Sequence, residues 1–120
     1  MGVFNVAKEF TRFIGGRFRK HGDKSGEELR DDYLIPLIDK LPEGEKLTVD
    51  LTDSMICWST LEEIFGGLVR RKGEEVVDKI EILSDDEKEV GLAKRYMQEQ
   101  IGYGGKCVDD NWTEKRQKNV

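Results

Sequence analysis

The feature that most narrows what this chain can fold into is one motif used three times. Ser25-Gly26-Glu27-Glu28, Ser59-Thr60-Leu61-Glu62 and Ser84-Asp85-Asp86-Glu87 all read S-x-x-E. In a capping box the serine oxygen accepts from an amide of the first helical turn, and the glutamate reaches back to the amide of the serine. Each motif is followed by apolar residues at helical spacing. The chain is therefore expected to hold three helices, entered near residues 25, 59 and 84.

The first helix carries Leu29, Tyr33, Leu34, Leu37, Ile38 and Leu41 on one face. Pro36 falls inside it, removes one backbone bond, and predicts a kink near Asp32 and Tyr33. The second carries Leu61, Ile64, Phe65, Leu68 and Val69, an i, i+3, i+4, i+7, i+8 stripe. It closes on Arg70-Arg71-Lys72-Gly73, where cations complement the helix dipole and glycine supplies the cap. The third carries Val90, Ala93, Tyr96, Met97 and Ile101, with Gly102 as a candidate cap.

Strands are expected between the helices. Leu47 to Leu51 and Ile80 to Ile82 alternate as half-buried strands do. Ahead of the first helix, Phe4 to Ile14 and Arg17 to Lys20 flank Gly15-Gly16, which reads as a hairpin. The predicted order is β-β-α-β-α-β-α. This is an α/β domain over residues 1–103, with a mixed sheet of about four strands and three helices packed mainly on one face. Residues 104–120 read as a polar tail that contains Trp112, with docking back on the domain preferred over contact with a partner.

Composition excludes several function classes. The 120 residues carry a formal charge of −5, with 38% charged and 37% apolar residues. An acidic domain with its cations dispersed is a poor ligand for nucleic acid or anionic membranes. No apolar run approaches the roughly 20 residues of a bilayer span, and no signal sequence opens the chain. A cytoplasmic location is expected. Cys57, Cys107 and His21 fit no zinc spacing, so no metal or other cofactor is expected. Cys57 reads as a small buried apolar residue and His21 as a solvated loop residue. No nucleophile–base pair or phosphate-cradling glycine loop stands out, and no catalytic residue is assigned.

Two features of the second helix invite a functional reading. Gly66 and Gly67 are adjacent and interior, each at a cost of about 1 kcal/mol relative to alanine. They flank the apolar stripe and let another backbone approach, either a neighbouring helix or an outside partner. Ser59 and Thr60 stand at the helix start, where a phosphate would meet free amides and the positive dipole end. They are the candidate phosphorylation sites. The candidate partner surface comprises Met55, Trp58, Glu63 and Gly67 around them, with Trp58 as the anchor.

The residues Gly16-Arg17, Gly22, Ser25-Gly26-Glu27, Arg30, Pro36, Asp50, Ser59, Leu61-Glu62-Glu63 and Phe65-Gly66-Gly67-Leu68 resemble a bacterial STAS-like domain family of unknown function. The resemblance spans roughly residues 10 to 83. Its more specific parts are S-G-E-x-x-R and L-E-E-x-F-G-G-L. It implies helices packed on a mixed sheet. It also implies a regulatory role like that of anti-sigma-factor antagonists, in which a hydroxyl at a helix start is phosphorylated by a kinase-type partner. Trp58-Ser59-Thr60-Leu61 departs from the aspartate, paired hydroxyls and glycine of those antagonists.

The expected function is a non-enzymatic, protein-binding regulatory module. Its partner would be a kinase-fold ATPase or another anti-sigma-type regulator. The alternatives are a small-ligand or nucleotide sensor using the loop from Ser54 to Ser59, or a phage or mobile-element inhibitor of a host protein.

Overall fold

The computed structural model describes residues 2–101. Gly102, Cys107, Trp112 and the expected tail lie outside the described residues. Strand β1 (Gly2–Asn5) leads into a short helix α1 (Val6–Glu9). A long irregular segment follows, with one 3₁₀ turn at Arg19–His21. Helix α2 (Gly26–Glu28) runs into a π-helical stretch (Leu29–Leu34) and then α3 (Ile35–Asp39). Strand β2 (Leu47–Asp50) precedes α4 (Trp58–Lys72). A 3₁₀ segment (Glu74–Lys79), strand β3 (Ile80–Leu83) and α5 (Glu87–Ile101) complete the order. No helix among the described residues is long and apolar enough to cross a membrane.

The sheet has three strands in the order β1-β2-β3, all parallel. This corrects the expected mixed sheet of about four strands with three helices. The described residues hold three parallel strands and five α-helices, and the hairpin around Gly15-Gly16 does not form. Two local causes are visible. Asn5 ends β1 by capping α1: its Oδ1 accepts from the Lys8 amide at 2.9 Å, while its own amide donates to Glu9 at 2.7 Å. Gly15 and Gly16 have no positive φ and serve close approach instead. A Cβ on Gly15 would stand 2.7 Å from the Asp23 carbonyl oxygen, and one on Gly16 would stand 2.8 Å from the His21 Cβ. The Gly15 amide donates to Lys24 at 2.8 Å and the Gly26 amide to Gly16 at 2.7 Å, so the glycines line the entry to α2.

Register places Phe4, Leu47, Val49, Ile80 and Ile82 on one sheet face, where all but the half-buried Ile82 are buried. Helix α4 packs beside α5, and its whole stripe of Leu61, Ile64, Phe65, Leu68 and Val69 is fully buried. The opposite sheet face presents Val3, Thr48, Asp50, Glu81 and Leu83, with Val3 62% and Leu83 51% exposed. All-parallel sheets are usually covered on both faces. Among the described residues no helix covers the second face of this one.

Only one of the three serines caps as its motif suggests. The Ser25 hydroxyl accepts from the Glu28 amide at 3.0 Å, while the Glu28 carboxylate accepts from Lys24, one residue before the serine. At the third site Asp86 holds the Lys88 amide at 2.9 Å, and Ser84 steadies the preceding turn. At the second, α4 begins at Trp58 behind Cys57, and the Glu62 carboxylate turns to Arg17 and Arg70. The Pro36 irregularity takes the form of the π stretch, in which the Ile35 amide bonds the Arg30 carbonyl five residues back. The widened turn lies where a proline four residues on deprives Asp32 of its donor.

Candidate functional site

The two motifs of the family resemblance meet in space. Arg30, 1% exposed, donates to the Glu63 backbone carbonyl at 3.0 Å and to the Glu63 carboxylate. It also makes a two-point contact with Asp31 at 2.7 and 3.1 Å. Arg17 reaches Glu62 at 3.0 Å and Glu63 at 3.5 Å. Arg70 pairs with Glu62 and stands 3.5 Å from Glu63, and Arg71 lies 3.7 Å from Asp31. Burial alone would pull the Arg30 guanidinium down. The hydrogen bonds that Arg30 donates to Asp31 and the field of Glu63 outweigh it and hold the group above its ordinary value.

This network explains the glycines. A Cβ on Gly67 would overlap Arg30 Nη1 and lie 3.0 Å from its Cδ. A Cβ on Gly66 would overlap the Glu62 carboxylate and lie 3.1 Å from Arg70 Nη1. Gly26 admits the Thr60 methyl, which would be 2.7 Å from a Cβ there. The pieces S-G-E-x-x-R and L-E-E-x-F-G-G-L are thus two halves of one helix–helix contact. Glu63 and Gly67, expected in a partner surface, are buried within it. Thr60, expected as a phosphorylation site, is 1% exposed, with its methyl on Gly26 and its hydroxyl 3.0 Å from Cys57 Sγ. In the folded domain these three residues are closed to an outside protein.

Met55, Trp58 and Ser59 remain at the surface. Met55 is 64% and Trp58 67% exposed, and both line one hollow with Ser54, Ile56 and Cys57, rimmed by Asp86 and Glu89. Phe13, 62% exposed, joins them through a parallel bridge to Met55. The Ile14 amide donates to Met55 at 3.1 Å and the Met55 amide to Arg12 at 2.6 Å. This cluster lies past the carboxyl end of β2, the end at which ligands of open parallel sheets usually bind. Beneath it, Asp50 accepts from the Thr52 amide at 2.9 Å and from Asn5 at 3.2 Å. Partial burial raises the Asp50 pKa, but these hydrogen bonds outweigh it and hold the carboxyl below its usual range.

Two residues of this region escaped the sequence reading. Phe13 was assigned to a hairpin strand, and nothing local marks it as exposed. Cys57, expected to be a small buried residue, is exposed at the N-cap of α4. Desolvation raises its pKa, but the Ser59 and Thr60 hydroxyls, at 3.4 and 3.0 Å, and nearby amides outweigh that and lower the thiol below its ordinary value. Alkylation of Cys57 by iodoacetamide should therefore show a pH midpoint below that of a free cysteine, and Ser59→Ala should move it upward. An unchanged midpoint in the variant would show that the hydroxyl does not stabilise the thiolate. Among the described residues no group of His, Cys, Asp and Glu side chains converges as a metal site. No protein-family model matches this chain, and no curated protein or solved structure matches it either.

Proposed function

We propose that this domain is a regulatory protein-binding module whose contact surface is the sheet end bearing Phe13, Met55 and Trp58. The observation that carries this reading is the gathering of three large apolar side chains, each more than 60% exposed: Met55 and Trp58 line one hollow, and Phe13 is bridged to Met55. Exposed apolar clusters with a tryptophan are typical interface anchors. Arg17, Arg30, Glu62, Glu63, Gly66 and Gly67 of the STAS-like resemblance are engaged in holding the helices together, whereas this end is exposed. A kinase-fold ATPase or another anti-sigma-type regulator is the partner class that the resemblance suggests. Ser59 is the exposed hydroxyl of the two at the helix start. A phosphate there, one residue after Trp58, which lines the hollow with Asp86 and Glu89, would add about 1.5 to 2 negative charges and disfavour an acidic partner surface. The same two carboxylates disfavour a nucleotide in the hollow.

A photo-crosslinking side chain at position 58 should capture a discrete protein partner that one at the exposed position 75 does not. Trp58→Ala should reduce binding of that partner at least about tenfold. Its melting temperature should stay within about 2 °C of the parent, as for surface changes. Equal capture at both positions, or a Trp58→Ala variant that binds normally, would refute the assignment.

A further inference from the structure

The edge of the sheet at β3 is a second surface, independent of the Met55–Trp58 end. β3 pairs with β2 on one side, and among the described residues no strand pairs with its other side. Such an edge presents a row of backbone donors and acceptors. Proteins usually blunt it with charge, proline or a covering element. Here it opens beside α5 onto an apolar floor formed by Val77, Ile80, Ile82 and Met97. Lys94 and Gln98 form the far wall. The hollow continues along the strand past Lys46 and Glu81. A groove between an edge strand and a helix is a geometry in which an extended peptide can join a sheet and place alternate side chains on the floor.

Two features bear on what the groove would bind. Gly91 sits three residues before Lys94 and seven before Gln98, on the same stripe of α5. A Cβ there would meet nothing within 4 Å. Glycine inside a helix costs about 1 kcal/mol against alanine. Gly26, Gly66 and Gly67 each offset that cost by admitting a neighbour, and Gly91 admits none from the described residues. The described residues leave the space above it open. The second feature is charge. Glu81 is paired with Lys46 at 3.8 Å, whereas Lys94 makes no ion pair among the described residues, so the described lining of the groove carries one more positive than negative charge.

From these we infer that the β3–α5 groove binds an extended segment of a partner protein as a fourth strand, with apolar side chains at alternate positions on the floor and a carboxylate meeting Lys94.

The test selects displayed random ten-residue peptides on the immobilised full-length chain, then measures the selected peptides in solution by NMR titration and fluorescence anisotropy. Selected peptides should show apolar residues two apart with an acidic residue adjoining them, and should shift the amides of Ile80 to Leu83 and Gly91 to Gln98. Gly91→Gln should weaken them about tenfold or more with no loss of melting temperature, because the added side chain enters open space. Lys94→Glu should reverse the charge preference, favouring lysine-bearing versions of the same peptides. Trp58→Ala should leave this binding intact, which separates the groove from the surface at the other site. The inference is overturned if selected peptides lack the alternation or shift residues 54–58 instead. It is also overturned if Gly91→Gln binds normally. Concentration-dependent shifts of β3 without peptide would assign the edge to a second copy, and contacts from residues 102–120 would assign it to the chain's own end. Either would overturn the inference.

Discussion

Replacing Arg30 with methionine should destabilise the domain by about 3–5 kcal/mol, the range found when one partner of a buried ion pair is removed. The net stability of an ordinary domain is only about 5–15 kcal/mol, so the variant should be near the edge of folding. The cause is what is left behind. Glu63 is 2% exposed and loses both its main counter-charge and the guanidinium that bonds its backbone carbonyl. Arg17 and Arg70 stay near it but also serve Glu62. The double variant Arg30→Met, Glu63→Leu should recover a large part of the loss, because a buried pair exchanged for apolar residues of similar size is often neutral. Gly67→Ala reports on the same contact from the other side. In a solvated helix it would stabilise by about 1 kcal/mol. Here the new Cβ overlaps Arg30, so the sign should invert, to a net loss of about 1–3 kcal/mol. Urea denaturation of the four chains decides it. If Arg30→Met costs less than about 1 kcal/mol, the network is not a determinant of stability.

Phe65→Ala should cost about 3–5 kcal/mol, through lost burial and the cavity left behind. Phe65 is fully buried in the middle of α4, within the core that joins α4 to the inner face of the sheet. Neighbours on both sides, Ile64 and Leu68 among them, are also fully buried, so little can relax into the space. Melting temperature should fall by roughly 10–20 °C. Phe65→Leu should cost less, since it removes less volume. A small effect of the alanine variant would mean that the core repacks around position 65.

Much of this molecule was legible in its residues. The period of Leu61, Ile64, Phe65, Leu68 and Val69 located α4 and its buried face, because a 15-residue helix must hide a stripe of that width. The alternation of Leu47 to Leu51 and of Ile80 to Ile82 located β2 and β3 for the same kind of reason. Gly73, with φ +89°, ends α4 as expected, its amide donating to Val69 at 2.8 Å. Trp58 and Met55, in a loop before a helix, could by sequence be either contact residues or core beneath the strand ends, and the structure exposes them.

The remainder depended on residues far apart in the chain. Periodicity is local. It cannot distinguish a Gly-Gly turn from a Gly-Gly close approach, because that depends on Asp23 and His21 facing Gly15 and Gly16. Nor can it set strand pairing: β1 lies against β2, forty-five residues away, and not against its immediate successor. The position of Thr60 on the helix suggested accessibility, but α2 brings Gly26 against it. Gly66 and Gly67 advertised a close approach without saying by what. Only the crossing of the π-helical stretch with α4 brought Arg30 to Glu63, and so made two separated motifs one buried contact. Local chemistry determined which segments are helix or strand and which faces are apolar. The tertiary structure decided which polar groups could be buried, since a charge can leave water only where another element brings it a partner.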